Sequence, residues 1–172
     1  MITKNKKYDM VSVVIPIYNE ERYIPGLVKS ILLQDYDRKK FEVIFIDGKS
    51  SDNTVDIINN KLRDENIDYK ILINEKKITP VALNIGIKNS TKDIIIRLDA
   101  HSSYPKNYIT KCVHYINNTD ADNVGCILET KSEGTVGRAI SCVLSSRFGV
   151  GNSKFRTNSK SRICRYSAMW NF

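Results

Sequence analysis

The sequence predicts a doubly wound, three-layer α/β/α domain built on a mostly parallel sheet. Three observations lead there: β-rich apolar runs alternate with helix-period segments, the runs are continuously apolar rather than alternating, and polar clusters recur just past their carboxyl ends. The first run, VSVVIPI (11–17), is a strand; after Asn19, Glu20 and Glu21, an acidic start suited to a helix N-terminus, Ile24, Leu27, Val28, Ile31 and Leu32 recur at helical spacing. FEVIFID (41–47) is the second strand. It leads into GKSSDNT, where Ser51 and Asp52 are natural N-caps for a helix with Val55, Ile58 and Leu62 on one face. YKILIN (69–74) follows, then Thr79 and Pro80, read as cap and first-turn residue of the helix VALNIGIKN. DIIIRLD (93–99), a helix from near Pro105, a fifth strand NVGCILET (123–130) and a helix over about 135–147 complete the pattern.

With 172 residues, 41% hydrophobic and 27% charged, the chain can build one compact domain, expected over 1–150, with 151–172 as an irregular basic tail. No apolar stretch approaches the ~20 residues of a membrane span, and the N-terminus lacks a secretory leader pattern, so a cytoplasmic location is expected. Cys112, Cys126, Cys142 and Cys164 have no paired spacing and neither histidine completes a zinc knuckle; they read as reduced core thiols. His114, inside a helical pattern, reads as structural.

The net charge of +8 is uneven. No acidic residue follows Glu133, while Arg138, Arg147, Lys154, Arg156, Lys160, Arg162 and Arg165 do. Such a tail attracts phosphate-bearing partners of any class, and a non-catalytic module using it on nucleic acid or anionic membrane is the alternative to an enzyme. The plainer reading, that acidic counterparts are simply missing from this stretch, is preferred. No GxGxxG follows the first strand and no GxxxxGK[ST] occurs, which argues against dinucleotide oxidoreductases and P-loop enzymes. A phosphoacceptor receiver would need an aspartate after the third strand, where Lys76 and Lys77 stand.

Ligands of doubly wound sheets bind at the carboxyl ends of the strands. There the sequence places Tyr18, Asn19 and Glu20, then Asp47 and Gly48, then Lys76 and Lys77, then Asp99 and His101. The segments PIYNEERYI, IDGKSSDNT and RLDAHSSYP resemble, in order and spacing, the family 2 glycosyltransferases of GT-A fold, over about residues 10–149. NEKKITPVALNIGI together with RLDAH is most similar to transferases of bacterial exopolysaccharide synthesis, of the succinoglycan type.

The resemblance implies transfer of a sugar from a UDP- or GDP-linked donor to a saccharide or lipid-linked acceptor, metal-dependent and inverting. Asp99 and His101, read as alternate residues of an extended segment, would face one side and hold Mn²⁺ or Mg²⁺, with His101 where the family usually has a second carboxylate. Asp47 matches the aspartate that accepts from the nucleotide base, and Pro16 and Tyr18 match the nucleoside-pocket segment. Lys77, with Lys76 beside it, would pair with phosphates, Arg97 would orient Asp99, and Glu20 is a ribose ligand or a helix-start acid. No nucleic-acid partner is expected; peripheral association with the inner membrane face is compatible with a lipid-linked acceptor. The family's general base, a carboxylate well past the metal motif, has no counterpart after Glu133, so this chain is expected to be a C-terminally truncated, catalytically incomplete form.

Overall fold

A computed structural model describes residues 7–125 and residue 143. The chain divides into two compact units, Met1–Asn117 and Asn118–Phe172. In the first, β1 (Val11–Ile17), β2 (Phe41–Asp47), β3 (Asp68–Ile73) and β4 (Ile94–Arg97) alternate with helices α1 (Ile24–Leu32), α2 (Thr54–Leu62), α3 (Thr79–Lys88) and α4 (Tyr108–Asn118). All strand pairs are parallel, in the order β3-β2-β1-β4. The doubly wound parallel sheet is therefore present as expected. The remaining expectations, a fifth strand continuing to residue 130, the helix over 135–147 and the basic tail, concern residues outside those described, apart from 123–125, which are irregular, and Val143, which is helical. No helix among the described residues is long and apolar enough to cross a membrane.

Both faces of the sheet are covered, which is why β1 and β2 are mainly apolar on both faces. On one face Val11, Val13, Ile15, Val43 and Phe45 pack with Ile24 and Leu27 of α1, Ile58 and Leu62 of α2, and Ile109 and Val113 of α4. On the other, Val14, Ile44 and Ile46 pack under Ala82 of α3. Contact there is close: a Cβ on Gly86 would lie 2.3 Å from Val14 Cγ1 and 3.0 Å from Ile46 Cδ1. Gly86→Ala is therefore expected to destabilise the fold. Alanine gains about 1 kcal/mol in helix propensity, but forcing a methyl into a filled space costs about 1–3 kcal/mol, and at 2.3 Å the helix itself must move. A lower urea midpoint at unchanged slope checks it.

The helix starts differ from the sequence reading. α2 is capped positionally by Asn53, not Ser51 or Asp52, and α3 by Ile78, with Thr79 already its first residue. Asp52 nevertheless serves α2 from outside, accepting from the Thr54 amide at 3.1 Å and from the Thr54 hydroxyl. Cys112 is half-buried and packs against the main core.

A polar network crosses the sheet at the end opposite the strands' carboxyl termini. Glu42 is 3% exposed and accepts from Ser12 Oγ at 2.6 Å and from the amide and hydroxyl of Thr91, both at 2.8 Å. Lys70 Nζ lies 3.1 Å from its other oxygen. Burial pushes this carboxyl up, but the hydrogen bonds from Ser12, Thr91 and Lys70 outweigh it and bring the pKa down from 4.5 to about 2.

Candidate functional site

The cleft opens where the chain reverses its direction of travel across the sheet. From β1 the chain steps outward to β2 and β3, then returns to place β4 on the other side, so the carboxyl ends of β1 and β4 form a switch point. Pro16 helps to part these two strands. Val14 accepts from the Leu98 amide at 3.1 Å, so its polar groups face β4; two residues on, Pro16 faces the same way with no N–H to give, and the β1–β4 ladder ends at Val14 and Arg97. The resulting cleft, of about 290 Å³, draws its walls from the ends of β1, β2 and β4, the loop after β3 and the first turn of α3.

Pro16, Tyr18, Glu20, Lys77, Arg97, Asp99 and His101 all line it. Lys77, at a left-handed φ of 54°, places its ammonium 5.1 Å from the centre of the Tyr18 ring, a cation–π contact at the cleft mouth. Lys76 is not in the wall; its amide donates to Asn74 Oδ1 at 3.2 Å. Arg97 donates twice to Asp99 Oδ1, from Nε at 3.0 Å and a terminal nitrogen at 2.9 Å. His101 Nδ1 lies 3.7 Å from Glu20 Oε1, with the His101 ring edge-on to Tyr23.

Two placements depart from expectation. β4 ends at Arg97, and the Ser102 amide donates to the Asp99 carbonyl at 3.2 Å, so Asp99 and His101 belong to a turn, not an extended segment. Their common orientation into the cleft comes from that turn and not from strand pleating. Asp47, in turn, is 3% exposed and outside the cleft wall. Its carboxylate accepts from the Ser50 amide at 3.0 and 3.2 Å and from the Ser50 hydroxyl at 2.6 Å, which folds the following loop back over it. Contact with a nucleotide base from this position requires those bonds to be exchanged.

Much of the remaining polar sequence holds the loops to each other. Asn19, at φ 52°, accepts from the Ser51 amide at 2.8 Å, and its own amide donates to Ser50 Oγ. The amide of Glu20 donates to Thr54 Oγ1 and that of Glu21 to Asp52 Oδ2. Although burial raises the Asp52 carboxyl, the Thr54 hydroxyl and the amides of Glu21, Thr54 and Asp52 itself together hold it below its ordinary value. Glu20 lines the cleft, and its backbone carbonyl accepts from Tyr23 and Ile24 at the start of α1, whose first turn holds no acidic residue. Asn74, buried, was not singled out from the sequence; it continues the β3 ladder to the Asp47 carbonyl and binds the Ile78 carbonyl through Nδ2, fixing the approach to α3.

Among the described residues no three His, Cys, Asp or Glu side chains come close enough to hold a metal between them. The donors that are present fit a different kind of site. Both Arg97 bonds fall on Asp99 Oδ1, and among the described residues Oδ2 takes no hydrogen bond. One carboxylate oxygen and one imidazole suit an ion whose other positions are filled by substrate phosphates and water, a common arrangement for Mg²⁺ and Mn²⁺.

The family profile described as Glycosyl transferase family 2 matches residues 12–169. The chain belongs to glycosyl transferase family 2. Among curated relatives of this family 2 chain, the succinoglycan biosynthesis protein ExoA of Rhizobium meliloti is 32% identical over 147 residues, covering 84% of this chain and 44% of ExoA. A Methanococcus voltae dolichyl N-acetyl-α-D-glucosaminyl phosphate 3-β-D-2,3-diacetamido-2,3-dideoxy-β-D-glucuronosyltransferase is 38% identical over 99 residues, 57% of this chain and 30% of its own length. The chain thus spans less than half the length of either. Its fold is GT-A, shared with the mannosyltransferase PcManGT of Pyrobaculum calidifontis, solved with GDP-Man and Mn²⁺ (TM-score 0.65, 24% identity, 72% of this chain and 39% of that one). Staphylococcus aureus TarS 1–349 is similar at TM-score 0.60 and 23% identity, over 72% of this chain and 40% of that one.

Proposed function

We propose that this chain is the donor-binding part of a metal-dependent, inverting glycosyltransferase that takes a UDP- or GDP-linked sugar and serves a saccharide or lipid-linked acceptor in polysaccharide assembly. The observation that carries this reading is the convergence, in one cleft at the switch point, of Asp99, His101, Arg97, Glu20, Lys77 and Tyr18 from separate loops. Sugar transfer separates the anomeric carbon from a nucleoside diphosphate, so negative charge grows on the leaving phosphate. Asp99 and His101 would hold Mn²⁺ or Mg²⁺, which supplies Lewis-acid stabilisation of that charge. Lys77 leaves the Tyr18 ring to pair with a phosphate, and Tyr18 with Pro16 then packs against the nucleoside. Arg97 keeps Asp99 oriented. Glu20 orients His101, as carboxylates commonly do for metal-binding imidazoles.

Asp47 contributes indirectly in this reading. By gathering the Ser50 donors it holds Gly48 against Tyr18, where an added Cβ would lie 3.1 Å from the Tyr18 ring. Work at the cytoplasmic membrane face follows from a lipid-linked acceptor and is part of the same proposal. A general base is not supplied by any residue after Glu133, none of which is acidic. The 172-residue chain is therefore expected to bind UDP or GDP with Mn²⁺ and to transfer no sugar.

Calorimetric titration of UDP and of GDP, each with Mn²⁺ and with EDTA, tests this. Binding of either nucleotide that is strengthened by Mn²⁺ supports the reading. Absence of nucleotide binding, with salt-sensitive binding to DNA or anionic vesicles instead, would replace it by the binding-module alternative.

A further inference from the structure

We infer that Tyr104 is a positioning residue for the Asp99 turn, its hydroxyl fixing the orientation in which Asp99 meets a divalent cation. The inference rests on the proposed metal-holding role of that turn. Its basis is the hydrogen bond from the Asp99 amide to Tyr104 Oη at 2.7 Å. Leu98 donates toward β1, and successive amides of an extended chain point to opposite edges, so the Asp99 amide faces away from β1 as the strand ends. Tyr104 supplies the acceptor there from only five residues further along the chain.

Asp99 is then held at three separate atoms. Its amide is bound by Tyr104, its carbonyl by the Ser102 amide, and its Oδ1 by Arg97, while Oδ2 has no hydrogen bond among the described residues. A ligand restrained in this way loses little freedom on binding an ion, which is how outer contacts raise metal affinity. His101 lies inside the same turn and shares the restraint.

Tyr104 is itself firmly placed. Its ring packs against the main core and meets Tyr108 at 5.0 Å. The next two carbonyls are tied to the end of α1: Pro105 accepts from Gln34 Nε2 at 2.9 Å and Lys106 from the Asp35 amide at 2.8 Å. Gln34 Oε1 also accepts from the Ile109 amide at the start of α4 at 3.1 Å. The core thus reaches the Asp99 amide through the Tyr104 hydroxyl, alongside the burial of Ala100 within the turn, and phenylalanine would fill the same apolar space without that oxygen.

The test is Tyr104→Phe in the full chain, with three readouts: UDP and GDP affinity with Mn²⁺, the same affinities in EDTA, and hydrogen exchange at the Asp99 amide. The expected result is faster exchange at Asp99, about 10-fold weaker Mn²⁺-dependent binding, and unchanged binding in EDTA. Faster exchange with undiminished Mn²⁺-dependent binding overturns the inference and leaves the functional reading standing. Equal weakening with and without Mn²⁺ also overturns it, since that marks general loosening of the cleft. A wild-type chain without any Mn²⁺-dependent binding removes the functional reading and the inference together.

Discussion

Asp99→Ala is expected to weaken Mn²⁺-dependent UDP or GDP binding by at least about 100-fold, since loss of mere outer-shell partners already costs 10–100-fold in metal affinity. The substitution removes the only carboxylate in the turn, leaving His101 as its single remaining candidate ligand. It should not unfold the chain. The Asp99 side chain is 41% exposed and its partner Arg97 more so, and exposed substitutions of this kind stay within about 0.5 kcal/mol. Calorimetry with Mn²⁺ and a thermal melt separate the two effects. Asp99→Asn sharpens the comparison, because it keeps the shape and an acceptor for Arg97 while removing the charge. If Asp99→Ala binds nucleotide and Mn²⁺ as the wild type does, the turn is not the metal site.

Glu42→Ala is expected to cost about 2–3 kcal/mol, the upper part of the range for leaving a buried hydrogen-bonding group such as Ser12 Oγ without its charged partner. Ser12 Oγ, fully buried, and the amide of the exposed Thr91 would lose their acceptor, and among the described residues Lys70 would keep only its bond to the Asn89 carbonyl. Chemical denaturation at neutral pH reads this directly. The same residue makes stability depend on acid. Its folded-state pKa, about 2, lies below its ordinary 4.5, so its contribution is complete above about pH 4.5 and fades as pH falls toward 2. A depression of that size corresponds to roughly 3 kcal/mol. The stability gap between wild type and Glu42→Gln should therefore narrow by about that much between pH 5 and pH 2, and a gap independent of pH would mean that the carboxylate is not held in this way.

The legible parts of the sequence were those whose cause is local. β1 and β2 run over the predicted residues because each is a predominantly apolar run of seven. The edge where ligands should bind was legible too, since polar clusters after parallel strands must gather at one end of the sheet. What could not be read depended on partners distant in sequence. Ser51, Asp52 and Asn53 stand in a row before α2, and each is held by a bond to Asn19 or Glu21, about thirty positions earlier. DAHSSYP has no period that distinguishes a frayed strand from a turn, so the bond between Ser102 and Asp99 was invisible. Tyr104 stood inside a recognised motif, but its value lies in a backbone amide, and backbone atoms leave no mark in a sequence.

The strand order also bears on how the chain comes off the ribosome. β1, the central strand, is synthesised first, yet its second neighbour is the last of the four. Roughly 80 residues separate Ile17 from Arg97, which at 5–20 residues per second is about 4 to 16 s of translation. Throughout that interval the edge of VSVVIPI that will meet β4 is open, with no charged side chain to discourage foreign pairing. Pro16, which parts β1 from β4 in the finished fold, is then the one residue in the run that resists an incoming strand, so the opening of the cleft and the protection of the nascent chain depend on the same missing N–H.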